Sequence, residues 1–270
     1  MEKFIYGRKA LVTGATSGIG KAIALALAQR GYEVWGVSRR AERKEEKTGE
    51  GRIIWRAMDI TDEASIMTLL GEIGDFAILV NAAGFGIGGD TEDSDMTEVR
   101  SLFETNYFGT VNLTRLSLPV MRKNPSSLVV VITSVAARVP LPFQGHYSAT
   151  KYALEAHFET MRVEAASFGV KVAIVEPGDL STGFTKKRKC AIPESSPYME
   201  SYRRAIQEIE KDEMTGGSPE IIAKAVLRIA GRRNPPVRTV CGIRYKALCF
   251  LMRIFPDRLI LFILGKMYRV

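Results

Sequence analysis

The chain has 270 residues, of which 46% are hydrophobic and 25% charged, and its formal net charge is +8. A chain of this length and composition can bury one large core, so we expect a single domain over residues 1–270 rather than a disordered or fibrous protein. Three cysteines without a Cys-x-x-Cys pair and two histidines without companions at metal-ligand spacing argue against a disulfide framework and a metal site. The first residues lack the apolar run of a signal peptide, and we expect a cytoplasmic protein.

The excess positive charge is concentrated near the C-terminus. From Arg228 onward there are ten basic residues and a single acid, Asp257, while the rest of the chain is close to neutral. These cations alternate with Leu, Ile, Phe and Met over a C-terminal extension of about residues 243–270, a pattern typical of an amphipathic segment lying on an anionic membrane. The alternative is an extension that packs its apolar side on its own domain. Charges interrupt residues 248–267 too often for a transmembrane helix, and we predict no nucleic-acid partner.

Residues 11–20 predict a strand, a glycine-rich turn and the start of a helix. Gly14 allows a turn that a side chain would block, Gly18 lets a ligand approach the backbone, and Gly20 lets the helix lie close to the strand. A helix N-terminus offers N–H groups and a positive dipole end to a pyrophosphate. We therefore predict dinucleotide contacts from Gly14, Thr16, Ser17, Gly18, Ile19 and Gly20. The alternative is an ordinary capped turn.

The second predicted strand, residues 33–37, ends in Ser38, Arg39 and Arg40. In dinucleotide-binding folds an acidic residue about 20 positions after the glycines binds the ribose of NAD. A carboxylate there would repel a 2′-phosphate, whereas a hydroxyl and guanidinium groups bind one. The sequence therefore favours NADP. The alternative is that the two arginines begin a solvated charged loop reaching residue 47.

Two further predicted strands end at the same edge of the sheet. The third covers residues 51–58 and is followed by Asp59 and Ile60, where an adenine would lie. Asp59 is equally suited to capping the next helix. The fourth covers residues 76–80, and its small following residues admit a flat ligand to the backbone: Asn81, Ala82, Ala83 and Gly84.

The residues with acid–base chemistry follow. A helix over residues 96–121 carries Asn106, a poor helix former, in its interior. The fifth strand ends in Ser134, and Tyr147 and Lys151 share one face of the next helix because they are four residues apart. A tyrosine has an ordinary pKa of about 10, which a nearby ammonium and an oxidised nicotinamide would lower. With Ser134 donating to the same carbonyl oxygen, these residues predict a general acid/base site for hydride transfer.

The alternation of strands and helices continues through a strand over residues 170–176 and Pro177-Gly178. It predicts an α/β protein with a doubly wound parallel sheet of Rossmann type, in three α/β/α layers. Residues 179–217 break the rhythm and predict an active-site lid with a helix over residues 198–214. A further helix to about residue 231 and a strand over residues 237–242 precede the C-terminal extension.

Taken together, these motifs resemble the short-chain dehydrogenase/reductase family, in its order and spacing, over about residues 8–182. The resemblance implies that Tyr147 donates or accepts the proton, that Lys151 orients the ribose and lowers the tyrosine pKa, and that Ser134 polarises the substrate carbonyl. It implies that Asn106 helps Lys151 hold a water in a proton relay. It also places further cofactor contacts at Asn81, Ala82, Gly84, Tyr147, Lys151, Pro177, Gly178 and Thr182.

Two positions depart from the family's commonest pattern. Thr150 stands where Ser is usual before the lysine, and Glu176 stands where Asn is frequent before Pro177-Gly178. With the long basic C-terminus, Glu176 makes the chain look more like the hydroxysteroid and retinol dehydrogenase branch than the acyl-carrier-protein reductase branch.

Residues expected to line the substrate pocket are mainly apolar: Phe85, Ile87, Val139, Leu141, Phe143, Phe184, Met199 and Tyr202. They favour a lipophilic ketone or secondary alcohol, such as a steroid, retinoid or fatty-acid derivative. The alternative is that several of them only pack the lid on the sheet. Arg138 suggests an anionic group on the substrate.

A second hypothesis for the whole chain is a non-catalytic NADP-binding regulatory or scaffold protein, although such proteins usually lose the tyrosine or the lysine. The family resemblance also implies a homodimer or homotetramer through the helices that carry Asn106 and Tyr147. The C-terminal extension could block a second interface, which favours the dimer.

Overall fold

A central sheet organises the computed structural model, which describes residues 4–181 and 188–268. The ten described strands are β1 (Lys9–Thr13), β2 (Glu33–Ser38), β3 (Lys44–Thr48), β4 (Gly51–Ala57), β5 (Ile78–Asn81), β6 (Ile87–Gly88), β7 (Ser127–Ile132), β8 (Val170–Pro177), β9 (Lys189–Cys190) and β10 (Arg238–Cys241). Eight of them form one sheet in the order β10-β8-β7-β5-β1-β2-β4-β3, and β6 pairs with β9 beside it.

The described helices are α1 (Gly18–Gln29), α2 (Glu63–Ile73), α3 (Met96–Phe103), α4 (Thr110–Met121), α5 (Gly145–Glu164), α6 (Met199–Met214), α7 (Glu220–Ala230), α8 (Ile243–Leu251) and α9 (Asp257–Met267). Helices α1 and α7 cover one face of the sheet, where Ile23 and Val226 pack with Val12. Helices α2, α4 and α5 cover the other, where Phe158 packs with Leu11. Because side chains alternate along a strand, neighbouring residues of β1 enter opposite cores. The predicted doubly wound, three-layer α/β fold is confirmed.

The strand order places a crevice beside β1. The chain leaves β1 toward β2 and β4, then returns across the sheet to β5 on the other side of β1. Such a reversal opens a crevice at the carboxyl ends of parallel strands, where ligands bind in open α/β sheets. The glycine turn after β1 and the small residues after β5 flank this crevice.

The structure refines two local interpretations. The alternative of a solvated loop reaching residue 47 does not hold, because residues Lys44–Thr48 form β3 and pair antiparallel with β4. The predicted helix over residues 96–121 forms with these bounds, and a π-helical segment, Glu104–Gly109, lies within it between α3 and α4. Asn106 lies inside that segment. Single π-helical turns often occur at functional sites.

The segment predicted to be a lid is held against the domain. Strand β9 pairs with β6, Leu180 forms a bridge with Gly217, and α6 packs through Met199 and Tyr202 into a third apolar cluster. The C-terminal helices join the same cluster through Cys249, Ile260 and Leu264. Within residues 4–181 and 188–268, no helix has the length and apolar character needed to cross a bilayer.

Candidate active site

The turn after β1 is built from glycines that no other residue could replace without movement. Gly14 has φ +64°, and a Cβ on it would lie 2.9 Å from the Ala82 carbonyl oxygen. A Cβ on Gly20 would lie 2.4 Å from the Gly14 carbonyl oxygen. These contacts pack the start of α1 against the turn and against the loop after β5. The positive end of the α1 dipole therefore faces the crevice, as an anionic dinucleotide requires.

One cleft collects most of the predicted site residues. It runs from the glycine turn, past the ends of β5 and β7, to the loop after β8. The predicted residues that line it are Gly14, Ser17, Gly18, Ile19, Gly20, Ala82, Gly84, Ser134, Tyr147, Lys151, Pro177 and Gly178. Thr182 and Phe184 lie outside the described residues.

The end of β2 lies against the glycine turn. The Ala15 N–H donates to the Val37 carbonyl (3.1 Å), and the Thr16 hydroxyl donates to Ser38 Oγ (3.1 Å). Arg39 is exposed, and its charge helps to lower the pKa of Asp59. Exposed Arg40 follows. The Thr16 and Ser38 hydroxyls therefore meet beside the glycine turn, and the two exposed arginines follow Ser38 directly in the chain. Binding of a 2′-phosphate by these residues stays a prediction.

The side chains of Asp59 and Ile60 make contacts inside the protein itself. Burial raises the Asp59 pKa, but hydrogen bonds from the Thr61 N–H (2.9 Å) and hydroxyl (2.8 Å), with the Arg39 charge, lower it below its usual value. The Ile60 side chain is buried in the core beside Leu113. Neither is among the described residues that line the cleft, and their cofactor contacts stay a prediction.

A threonine fixes the loop that follows β5. Thr13 Oγ1 accepts from the N–H groups of Ala82 (2.9 Å) and Ala83 (3.0 Å). The Asn81 side chain turns away beneath this loop and donates to Thr114 Oγ1 at 3.0 Å. It is buried and does not line the described cleft, so its predicted part in cofactor binding would come through the backbone that it anchors.

Asn106 secures the next stretch of the same loop. Its Oδ1 accepts from the Phe85 N–H (3.0 Å), and its Nδ2 donates to the Phe85 carbonyl (2.9 Å) and to Thr150 Oγ1 (3.2 Å). Because both ends of the amide are used, the side chain positions the segment after Gly84 against α5. The water relay with Lys151 remains a prediction.

The three predicted acid–base residues converge. Ser134 caps the short 3₁₀ turn after β7 by accepting from the Ala136 N–H at 3.1 Å, and its hydroxyl shares a hydrogen bond with the Tyr147 phenol. Lys151 Nζ lies 5.7 Å from the centre of the Tyr147 ring and donates to the Ile132 carbonyl at 3.1 Å. Strand β7 and helix α5 thus place two hydroxyls and one amine together at the cleft.

Burial shifts the pKa values of this acid–base group. Burial raises the pKa of Tyr147 to about 12, although the Ser134 hydrogen bond opposes the rise. Burial also lowers the pKa of Lys151 to about 8, against the effect of the Glu155 charge. Without a bound nucleotide, burial thus outweighs the contributions that lower the Tyr147 pKa. The lowering expected from Lys151 together with an oxidised nicotinamide stays a prediction. At neutral pH the phenol is protonated and can donate a proton.

The lid adds charged groups that the sequence did not indicate. Glu213, at the end of α6, lines the cleft and raises the Tyr147 pKa, while Arg188 lowers it. The two side chains form an ion pair, and Arg188 is only 2% exposed. Asp179 also lines the cleft, and it accepts a hydrogen bond from the Tyr245 hydroxyl of α8. The lid and the C-terminal helices thus contribute residues near the acid–base group.

A buried charge network lies behind the site and uses the unusual Glu176. Its carboxylate is fully buried and contacts Arg138 at 2.9 Å and Arg238 at 3.3 Å. Glu155, one turn after Lys151, also contacts both arginines and accepts from the Thr133 hydroxyl at 3.1 Å. The suggestion that Arg138 binds an anionic substrate group is wrong, because internal carboxylates engage its guanidinium.

The predicted substrate pocket is largely a packing surface. Of its described members, Leu141 alone lines the cleft. Ile87, Val139, Met199 and Tyr202 are each at most 7% exposed and belong to the apolar clusters that join the lid to the sheet. The alternative interpretation, packing of the lid, is correct for these four. The apolar lining instead includes Val135, Ala136 and Leu180.

Sequence reasoning missed several residues that shape the site. Thr13 belongs to the glycine motif, as the residue before its first glycine, and Glu155 lies one helical turn beyond Lys151. A hydroxyl and a carboxylate at these positions were the signals that could have pointed to them. No local pattern pointed to Asp179 or Glu213, because their place in the cleft depends on how the lid packs.

Comparison with known proteins agrees with this geometry. Residues 8–192 match the family model described as short chain dehydrogenase. The chain is 37% identical over 238 residues to the 3-ketodihydrosphingosine reductase of Bacteroides thetaiotaomicron, covering 86% of this chain and 87% of that protein. It is 31% identical to retinol dehydrogenase 8 of Bos taurus, with 93% and 86% covered.

Solved structures share the architecture. A short-chain dehydrogenase from Streptomyces avermitilis has 32% identity and a TM-score of 0.76, with 90% of this chain and 91% of that chain covered. Structures from Burkholderia cenocepacia with NADP (24% identity, TM-score 0.74, 95% and 97% covered) and Burkholderia phymatum with NAD (23%, 0.77, 94% and 94%) share the fold. The fold therefore accommodates either dinucleotide. With its matched family model and its converging serine, tyrosine and lysine, this chain belongs to the short-chain dehydrogenase/reductase family of oxidoreductases.

Proposed function

We propose that the protein is an NADP(H)-dependent oxidoreductase that interconverts a ketone or aldehyde and an alcohol on a lipophilic substrate. The observation that carries this proposal is the pair of hydroxyls of half-buried Ser134 and buried Tyr147, hydrogen-bonded to each other beside Lys151 in the cleft. A carbonyl oxygen that replaces their mutual hydrogen bond would accept from both. When bound, NADP(H) would supply the hydride for reduction or accept it for oxidation.

Residues of the chain would donate and accept the proton. In the reductive direction Tyr147 donates its phenolic proton to the oxygen that becomes the alcohol, while Ser134 stabilises negative charge on that oxygen. A Tyr147 pKa of about 12 keeps the proton in place until hydride arrives. Lys151, with a pKa of about 8, is mostly charged at neutral pH and favours the phenolate that remains. Oxidation uses the same groups in reverse.

The preference for NADP rests on the end of β2. Ser38 lies beside the glycine turn and exposed Arg39 and Arg40 follow it, so a hydroxyl and two guanidinium groups could bind a dianionic 2′-phosphate there. β2 itself ends without a carboxylate that would repel this phosphate. Gly14, Gly18 and Gly20 at the start of α1 would hold the pyrophosphate.

The lipophilic substrate is supported by the apolar part of the cleft and by the relatives. Val135, Leu141 and Leu180 line the cleft beside Ser134 and Tyr147. Both curated relatives described above carry names of lipid substrates, a ketodihydrosphingosine and a retinol. A ketone on a long apolar chain therefore fits better than a sugar or a charged acid.

The test is reduction of a panel of long-chain ketones, with NADPH and NADH compared at equal concentration. Tyr147→Phe should lower the turnover by a factor on the order of a hundred or more. Tyr152→Phe is the matched control, because Tyr152 lies on the same helix and is 62% exposed. Equal turnover by Tyr147→Phe and the parent would refute the mechanism.

A second pair of variants tests the cofactor. Replacing Arg39 and Arg40 together by Gln should raise KM for NADPH at least about tenfold and leave KM for NADH nearly unchanged. Arg30→Gln, an exposed arginine after α1, is the control. A parent enzyme that prefers NADH would refute the NADP proposal without affecting the role of Tyr147.

A further inference from the structure

The two C-terminal helices expose an unusual amount of apolar surface. Twenty large apolar side chains are exposed in the described part of the chain, and ten of them lie within residues 243–268. Phe250 is 61% exposed, Ile254 61% and Phe262 63%. Scattered exposed apolar residues are normal, but a contiguous group marks a surface that binds something.

Helix α9 shows that packing on the domain does not cover this surface. Ile260, Leu264 and the following Tyr268 recur at four-residue spacing and pack into the cluster shared with α6. Leu259, Phe262 and Ile263 of the same helix are exposed. A helix that is apolar on all sides is normally covered on all sides. The sequence alternative, in which the extension packs its apolar side on its own domain, accounts for only one stripe of α9.

The charges around this surface indicate what covers it. Five exposed cations alternate in sequence with the exposed apolar groups: Arg244, Lys246, Arg253, Arg258 and Lys266. Asp257 is the only acid in residues 243–268. Among the ion pairs of the described chain, none engages these five. A second copy of the chain would bring like charges together, which disfavours self-association.

Apolar side chains bordered by cations match the boundary of an anionic bilayer. The apolar groups enter the acyl region, and the cations remain with acidic headgroups. Helix α9 has 11 residues, a length of about 16 Å, whereas a bilayer core is about 30 Å thick. It can therefore lie in the interface but not cross the core.

We propose that the exposed face of α8 and α9, defined by Phe250, Ile254, Phe255, Leu259, Phe262 and Ile263 with the five cations, docks on an anionic phospholipid bilayer. This membrane face is independent of the proposed activity. Helix α8, which carries part of this face, packs beside the cleft, because its Tyr245 contacts Gly178 and Asp179 of the cleft lining.

The test is flotation of the purified full-length chain with vesicles, without substrate. Vesicles of phosphatidylcholine alone are compared with vesicles in which phosphatidylserine makes up roughly a third of the lipid. We expect binding to the serine-containing vesicles, weakened by salt. Replacing Arg253 and Arg258 by Gln should weaken it roughly thirtyfold, and replacing Phe262 and Ile263 by Ser on the order of a hundredfold.

Matched controls carry the same changes elsewhere. Arg30→Gln with Arg122→Gln removes two exposed cations, and Met67→Ser with Val163→Ser removes two exposed apolar groups. Both should bind as the parent does, and thermal melting should show that all variants fold. Tyr147→Phe should also bind normally, so a failure of the proposed activity would leave this result intact.

Three outcomes would overturn the proposal. The parent could fail to bind serine-containing vesicles, or the Phe262 and Ile263 changes could leave binding unaltered. Alternatively, the parent could bind no vesicles while those same changes convert an oligomer into a monomer in size-exclusion chromatography. The last outcome would assign the face to contacts between copies.

Discussion

Replacing Lys151 by Met should make the protein more stable at neutral pH and less active. The amine is 6% exposed and its pKa falls from 10.5 to about 8 because burial disfavours the charged form. A shift of this size corresponds to a penalty of about 3 kcal/mol for holding the ammonium in the folded state. Methionine has a similar length without the charge, and loss of the hydrogen bond to Ile132 offsets about 1 kcal/mol of the gain.

The sign of the pH dependence follows from the direction of the shift. Below pH 8 the lysine is charged in both states, so the full penalty is present in the folded parent. Between pH 8 and 10.5 the unfolded chain binds the proton and the folded chain does not, so the parent gains stability as pH rises. The free-energy difference between Lys151→Met and the parent should therefore fall by about 3 kcal/mol from pH 7 to pH 10.5.

Urea unfolding without cofactor measures this difference at each pH. Lys224→Met on α7 is the control, because that lysine is exposed and the same change there should show almost no pH-dependent difference. A difference for Lys151→Met that does not vary with pH would refute the claim that burial of the ammonium destabilises the fold.

Three further predictions test other parts of the account. Gly20→Ala should destabilise the protein by about 1–3 kcal/mol in urea unfolding, because the new Cβ would meet the Gly14 carbonyl. In the control Gly71→Ala on α2, the new Cβ meets nothing within 4 Å, so this change should not destabilise the protein. Glu176→Gln should cost about 1.5–3 kcal/mol, because Arg138 and Arg238 each lose a charged partner but keep Glu155. Glu194→Gln in the exposed pair with Arg203 should cost at most about 1 kcal/mol, and equal effects would contradict the buried network. Phe108 and Tyr152 are 52% and 62% exposed on the helices that carry Asn106 and Tyr147, which are predicted to form the dimer interface. Replacing both by Glu should convert the predicted dimer into a monomer in light scattering. An unchanged mass would exclude this interface.

The sequence predicted the elements that depend on local chemistry. Nearly continuous apolar strands such as β7 and the glycine turn at Gly14 and Gly20 define a parallel sheet with its crevice, whatever lies further along the chain. The four-residue spacing of Tyr147 and Lys151 likewise fixed their shared face on α5. These features need no knowledge of distant contacts.

What sequence reasoning missed depends on pairing between distant segments. Strand β3 forms from charged residues because an edge strand needs backbone partners more than apolar side chains, and its pairing with β4 follows the turn at Gly49. Arg138 looked available to a substrate because its partners, Glu155 and Glu176, come from other elements. The rise in the Tyr147 pKa has the same origin, since it comes mainly from burial, with Ile87, Leu102 and Ala191 of distant segments in the same apolar cluster.

The most direct test of the central claim follows the hydride and the proton in one reaction. NADPH carrying deuterium at the transferable position of the nicotinamide is incubated with a long-chain ketone, and the product alcohol is analysed by mass spectrometry for the parent and Tyr147→Phe. We expect the parent to place one deuterium on the carbinol carbon and Tyr147→Phe to form far less of this product. Product without deuterium, or labelled product formed equally fast by both proteins, would contradict it.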